Sequence, residues 1–580
     1  MTPTNDDTRK HLRNCDKETR LAKLRALGRE QYLRTQLNSM VGSRSWSLTR
    51  PLRDVTRWAR NFLARGEKES AERANLSNAA DRAFVDPEPG DGTDERFSTG
   101  GREAWDVAGS ARLAALLEGK TKLAFPYATE CRISIVVVLY GKAHLGLLCI
   151  ESILRNADVP YELILVDNNS MDRTGEMLEH LEGVQVIRNR ENLGFGYACG
   201  QGAERARGEF LCFLNNDALL QVGSLSAVLA DFREDESIGA IGGKILLADG
   251  RLQEAGSMVW SDGSAWGYGR GDDPDLPRYN FRRPVDYSSG AFLFTPRLLF
   301  SELGGFDARF FPAYYEDSDY CFKVWNRGLR VVYEPRAVIR HYESASSEIE
   351  EAVKDSIAKN QAKFFDKWRE QLQRHLARAG EHIPYARIAQ WERGARILYL
   401  IELDAKSTNH ARGSDSVVEQ LVSDGHYVTL ASTSQAITEL RSANPASDVE
   451  YADFTTAAHY VFRELLSQYD AVWISGQQSM RNFLLHIRDM QDPIPPIIYS
   501  LGIISPQPQT LDSAIGVSTD IAGRGSEDLL LCGAADLVFV ASEADRQVLC
   551  EKGMRNVYVL SIEKVAEVAA ELGRGGQRSR

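Results

Sequence analysis

None of the eight cysteines in this chain of 580 residues stands in a CxxC pair, and several sit inside apolar segments. That excludes a dense disulfide framework or a thiolate zinc knuckle and leaves buried thiols in a reducing compartment as the expectation. The opening residues, MTPTNDDTRKHLRNCDKETR, lack the apolar stretch that a secretory leader needs. No run reaches the roughly eighteen apolar residues of a membrane span. The expected location is therefore the cytoplasm. Basic charge is scarce as well: a formal net charge of −12 excludes a general binder of nucleic acid. The glycines of GFGYACGQG do not have the spacing of a dinucleotide fingerprint, which discounts a nicotinamide or flavin site. There is no short-period repeat of the kind that builds a solenoid.

What is present is enough for several cores. At about 150 residues per domain the length suggests three or four units, and 43% hydrophobic with 26% charged residues is a globular composition. Residues 1–85 read as a helical N-terminal region. Within it, residues 44–65 place Leu48, Leu52, Val55, Ala59, Phe62 and Leu63 on one stripe of a helix and Arg50, Arg53, Arg57 and Arg60 on another. Such a helix either packs on its own protein with a solvated arginine face or makes peripheral contact with an anionic membrane. Gly, Pro and Asp mark the stretch after residue 85 as a linker, taken to 129. From 130 to 346 the strand-like runs RISIVVVLY, ELILVDNNS, VQVIRN and EFLCFLNND alternate with helical stretches, which predicts an α/β unit with a mainly parallel sheet. A charged helical connector over 347–395 leads to a second α/β unit at 396–580, where ARILYLIELD, GHYVTLAS, YDAVWISG, PPIIYSLG and ADLVFVASE repeat the texture.

Ligands of such sheets bind beyond the carboxyl ends of the strands, so polar residues there are the candidates. Two strands of the first unit end in acidic, amide-rich turns, Asp167 in LVDNNSMD and Asp217 in FLNNDA. A carboxylate in that position can bind a nucleotide or hold a divalent cation near phosphate oxygens; taken singly, each is equally an Asx-turn or a helix cap. Downstream, Glu316, Asp317 and Asp319 gather at a helix start behind PAYY. Acids there are ordinary capping, yet clustered carboxylates also raise one another's proton affinity, which suits a general base. His341 in VIRHYESAS is a structural histidine or a metal ligand.

In order, ISIVVVLY, LVDNNSMD, NLGFGYACGQG, FLNND, SGAFLFTPR, GGFDARFF, YEDSDYCFKVWNRG and HYESAS resemble the family 2 glycosyltransferases of GT-A fold, in particular the rhamnosyl- and galactofuranosyl-transferase-like branch. The resemblance covers about residues 130–346. It implies an α/β, nucleotide-sugar-binding domain in which Asp167, Asn192, Gly194 and Asn216 line the nucleotide pocket. Asp217, in NND where the family's DxD motif stands, and His341 would hold Mg²⁺ or Mn²⁺, and Asp317 would be the base of an inverting transfer. It further implies a glycan or lipid-linked glycan acceptor, and cell-surface polysaccharide as the product. Where the family often has alanine and asparagine this chain has Tyr197, Cys199 and Gly200, and only one residue of NND is acidic. The second unit resembles, more loosely, the N-terminal half of a GT-B glycosyltransferase, a Rossmann-like domain. Two other readings stay open at this point. One is a glycan-binding or scaffold protein that kept the fold without turnover; the other is a nucleotidyltransferase, against which VVVLYGKAHLG is poor in glycine after its strand.

Overall fold

Every position of Ile133–Leu139 (β1) is buried, as a run of β-branched residues in the middle of a sheet covered on both sides should be. Because side chains alternate along a strand, Ile135, Val137 and Leu139 enter one core while Val136 and Val138 enter another. Parallel neighbours flank β1, namely β2 (Tyr161–Asp167) and β4 (Phe210–Asn215), and β3 (Gln185–Arg188) extends the sheet beyond β2. The first core is covered by α2 (Ala143–Asn156) and α5 (Ser224–Glu234), the second by α4 (Phe195–Arg205) and α7 (Glu316–Asn326). The computed structural model describes residues 101–568 apart from 344–346, 402–415, 433–436, 438–446, 454–465, 484–494, 502–525 and a few shorter gaps. The basic helix expected at 44–65 and the rest of 1–85 lie outside the described residues.

Beyond β4 the sheet is no longer parallel. β11 (Phe292–Pro296) pairs antiparallel with both β4 and β6 (Ile238–Leu247), and β12 (Arg330–His341) runs parallel to β6. β5 (Ala218–Leu220) folds back on the end of β12, with Ala218 opposite His341, and β7 (Leu252–Ala255) pairs with β6. A small hairpin of β8 (Ser257–Val259) and β9 (Ala265–Gly267) stands beside it, and β10 (Arg283–Pro284) closes the edge on β12. The expectation of a mainly parallel sheet holds for β1–β4 and fails at β11. A parallel return needs a long crossover, usually a helix, and between β6 and β11 the chain forms only short strands and one 3₁₀ turn.

The stretch read as linker contains α1 (Gly101–Glu118), which buries Trp105, Leu113 and Leu116 and packs against α2. The Gly/Pro/Asp-rich composition stops at Gly101, so the linker reading ran too far. Further along, α8 (Ser347–Lys367) falls within the stretch expected to be a charged helical connector.

The second sheet is all parallel. Its strands β13 (Arg396–Ile401), β14 (Tyr427–Ser432), β15 (Glu450–Asp453), β16 (Ala471–Ser475), β17 (Ile497–Ser500), β18 (Leu537–Val540) and β19 (Val557–Val559) stand in the order β15-β14-β13-β16-β17-β18-β19. This is the doubly wound, Rossmann-like order, with its reversal between β13 and β16. Two arginines tie it to the rest: Arg387 makes a two-pronged, buried ion pair with Glu450 at 3.0 and 2.6 Å, and Arg282 reaches Asp448. No helix among the described residues is long and apolar enough to cross a membrane.

Candidate active site

The carboxyl ends of β1, β2 and β4 and the far end of β12 meet on one side of the first sheet, and most of the residues singled out above collect there. Asp167 closes β2 opposite Leu139 and accepts a hydrogen bond from Ser170 N at 2.9 Å, forming an Asx-turn. Asn168 then locks the loop that precedes α4. Its side chain donates to Asn192 Oδ1 at 2.8 Å and accepts from Asn189 at 2.9 Å and from Leu193 N at 3.1 Å. Asn192 Oδ1 is therefore already engaged, since it also accepts from Gly194 N at 2.9 Å. In this structure Asn192 shapes the loop from within.

The glycine spacing has a packing cause. At Gly194, where φ is +81°, a Cβ would lie 2.7 Å from Pro312 O and 2.8 Å from the Phe311 ring; at Gly202 it would lie 2.4 Å from Val136 of β1. These glycines let α4 approach the loop before α7 and the sheet itself. That loop carries Tyr314 and Tyr315 in succession at φ 76° and 74°. Non-glycine residues held there cost of order 1–3 kcal/mol each and tend to collect at functional sites.

Immediately after them come the acids of α7, and the structure separates their roles. Asp319 is fully buried and belongs to the core, where it accepts from Trp368 Nε1 at 2.8 Å and pairs with Lys367 at 2.7 Å. Asp317 faces the strand ends, with Oδ2 accepting from Gly290 N at 2.9 Å and Oδ1 from Ser318 N at 2.7 Å. Burial raises its proton affinity against those donors. Glu316 Oε2 is buried without a hydrogen-bond partner among the described residues, and burial and then the neighbouring Asp317 push this carboxyl far up.

Asp217 and His341 are brought together by the β5–β12 pairing. Asp217 Oδ1 lies 2.9 Å from His341 Nε2, and Tyr342 N donates to Asp217 O at 2.9 Å. His341 Nδ1 lies 2.9 Å from Gln253 Oε1, and Asn215 and Asn216 flank the pair, Asn216 donating to Gly141 O at 3.4 Å. Burial pulls the imidazole down, but the charge and hydrogen bond of Asp217 outweigh it and raise it above its ordinary value. The residues fit a divalent cation. Asp217 Oδ1 and His341 Nε2, an oxygen and a nitrogen donor 2.9 Å apart, are close enough to share one cation. Gln253, accepting from Nδ1–H, would leave the Nε2 lone pair for the ion. No third His, Cys, Asp or Glu joins them among the described residues, so substrate oxygens and water would complete the shell.

Glu254 is the site residue that the sequence reading missed. The pairing of β7 with β6 shifts register at Ile245/Leu246, and such a bulge re-aims side chains. Gln253 reaches His341, while its neighbour Glu254 is buried and sits within the field of Asp317. Burial and then that charge raise it to about 7. A bulge has no signature in LQEAG, so only the register of the sheet exposes it.

A model of the glycosyl transferase family 2 matches residues 134–258. Three curated relatives are an uncharacterized protein of Sinorhizobium fredii, 28% identical over 36% of this chain and 24% of its own length; the O-antigen biosynthesis protein RfbC of Myxococcus xanthus, 29% over 39% and 18%; and an N-acetylglucosaminyl-diphospho-decaprenol L-rhamnosyltransferase of Mycobacterium tuberculosis, 27% over 32% and 68%. The chain thus spans about a quarter of the first relative and less than a fifth of the second. The acid-lined edge of the first sheet lies in a mixed α/β unit, and residues 134–258 of this chain are similar to the glycosyl transferase family 2.

Proposed function

We propose that this chain is an inverting, metal-assisted glycosyltransferase that moves a sugar from a nucleotide-sugar donor to a hydroxyl of a glycan or lipid-linked glycan. Its setting would be cell-surface polysaccharide synthesis on the cytoplasmic side of the membrane. The observation that carries the reading is the convergence at one sheet edge of a raised carboxyl, Asp317, and a ligand-like pair, Asp217 and His341. The names of the Myxococcus and Mycobacterium relatives support the polysaccharide setting. On this reading residues 130–346 form the catalytic unit, 347–395 a connector, and 396–580 an accessory domain of GT-B N-terminal-half type that contacts acceptor glycan or a partner.

The chemistry follows from the residues. Asp167 and the Asn168-locked loop receive the nucleotide. Asp317 is a carboxylate whose raised proton affinity lets it take the acceptor's hydroxyl proton as that oxygen bonds to the anomeric carbon. The bond from the anomeric carbon to the diphosphate breaks on the opposite face, and the nucleoside diphosphate leaves with the electron pair. Asp217 and His341 would hold Mg²⁺ or Mn²⁺, which neutralises charge on that leaving group when bound.

The test is hydrolysis of a panel of nucleotide sugars with and without Mn²⁺. The native chain should hydrolyse at least one in a Mn²⁺-dependent way, and Asp217→Ala, checked for folding by its thermal transition, should not. Hydrolysis that survives both chelator and Asp217→Ala would sink the metal-assisted part. Binding without any turnover would favour the non-catalytic scaffold.

A further inference from the structure

Resting on that reading, we infer that Lys142 binds the donor's diphosphate. It would supply the positive charge that a motif with a single acid, NND, leaves short. The residue stands at the end of β1, where the chain turns through two successive left-handed residues, Gly141 at φ 67° and Lys142 at φ 55°. A lysine is not at home in that conformation, and three hydrogen bonds impose it. Gly141 N donates to Ser170 Oγ at 3.0 Å and Ala143 N donates to Asp172 Oδ2 at 2.8 Å, both in the loop after Asp167, while Asn216 donates to Gly141 O at 3.4 Å. The backbone of the turn is thus fastened to the proposed nucleotide loop on one side and to NND on the other.

The side chain follows the same line. Lys142 Nζ lies 5.5 Å from the centroid of the Tyr342 ring, a cation–π contact. Tyr342 follows His341, and its backbone N–H is bonded to Asp217 O. The ring is itself held by α1, outside the matched family segment: Tyr342 OH donates to Asp106 at 2.7 Å, Arg102 Nε donates to Tyr342 O at 2.7 Å, and Trp105 packs against it. Asp106 is the acid facing Lys142, and its two oxygens are taken by Tyr342 OH and by His144 Nε2 at 3.0 Å. Arg102, over the same ring, is drawn off by Glu343 at 3.6 Å. Lys142 is exposed, and no ion pair is made to it among the described residues. An ammonium parked on a ring between nucleotide loop and ligand pair, with Asp106 bonded to Tyr342 and His144 and Asp172 bonded to Ala143 N, is available to an anion that spans the two. A diphosphate is such an anion.

The experiment is calorimetric titration of the full chain, in Mn²⁺, with UDP, GDP and dTDP and with the matching monophosphates. The native chain should bind one diphosphate best. Lys142→Gln should weaken that diphosphate by about tenfold or more, the worth of one charge-assisted contact. The monophosphate should change by less than about twofold, and Lys142→Arg should restore the difference. Equal weakening of mono- and diphosphate, or no weakening, overturns the assignment of Lys142 while leaving the glycosyltransferase reading intact. A native chain that binds none of the diphosphates overturns both.

Discussion

Among the described residues, the carboxyl edges of the two sheets carry different kinds of side chain. At the edge of the first lie Asp167, Asp217 and His341, with Glu254, Glu316 and Asp317 packed alongside, several of them buried with raised proton affinity or an unpaired oxygen. At the edge of the second, among the described residues, β14, β16 and β17 end on Ser432, Ser475 and Ser500, all buried and neutral. Both sheets have the alternating architecture that places a crevice beyond the strand ends. Among the described residues, buried carboxyls with raised proton affinity gather at the first and not at the second. Charged and unpaired groups are retained against their cost where chemistry needs them, and a strand-end hydroxyl needs no such reason.

The sharpest way to break this contrast is Asp317→Asn. The amide oxygen keeps one of the two bonds, from Gly290 N or Ser318 N, loses the other, and cannot take a proton. Turnover should therefore fall by roughly 10² or more while donor binding, measured by titration, stays within a few-fold. Undiminished turnover would remove the first edge from the chemistry.

How much of this was legible in the sequence varies with the physics that placed each residue. Strand ends are set by local pattern, so Asp167 and Asp217 could be located from ELILVD and FLCFLNND alone. Asp317 and Asp319 both stand in the first turn of α7, and only the structure separates them, giving Asp319 to Lys367 at the end of α8 and to Trp368 just after it. Asn192 and Gly194, which the resemblance places in the nucleotide pocket, also have a packing role that the sequence did not show, because α4 comes close to Val136 and Phe311. Glu254 and the antiparallel strand β11 depend on register across the sheet, and register is a tertiary property that neither spacing nor composition encodes.

Glu254 also offers a test of cost. Burial and the neighbouring Asp317 push its carboxyl up from the ordinary 4.5 to about 7. Below 4.5 the folded and unfolded chains both hold the proton. Between 4.5 and 7 only the folded chain does, so stability falls as pH rises through that window and stays low above it. Glu254→Gln should flatten the window and leave the variant more stable at pH 8, by up to about 3 kcal/mol. Denaturant midpoints at pH 5 and pH 8 measure this. An unchanged pH slope would mean that the first edge does not carry the strain attributed to it.

The smallest effect belongs to the second edge. Ser475 is 1% exposed and its Oγ finds no hydrogen-bond partner among the described residues, so the hydroxyl is buried with little to offset its lost hydration. Removing an unpaired buried hydroxyl deletes a penalty and leaves behind only the volume of one oxygen, two terms that nearly cancel. Ser475→Ala should thus shift stability by less than about 1 kcal/mol, toward greater stability if toward either, and leave turnover as it was. Ser500 makes the control: its Oγ accepts from Trp473 Nε1 at 3.1 Å, and Ser500→Ala strands a buried indole N–H at about 1–3 kcal/mol, again with turnover intact. If Ser475→Ala instead removed turnover, the hydroxyl would be working on a substrate, and the second edge would be a second site.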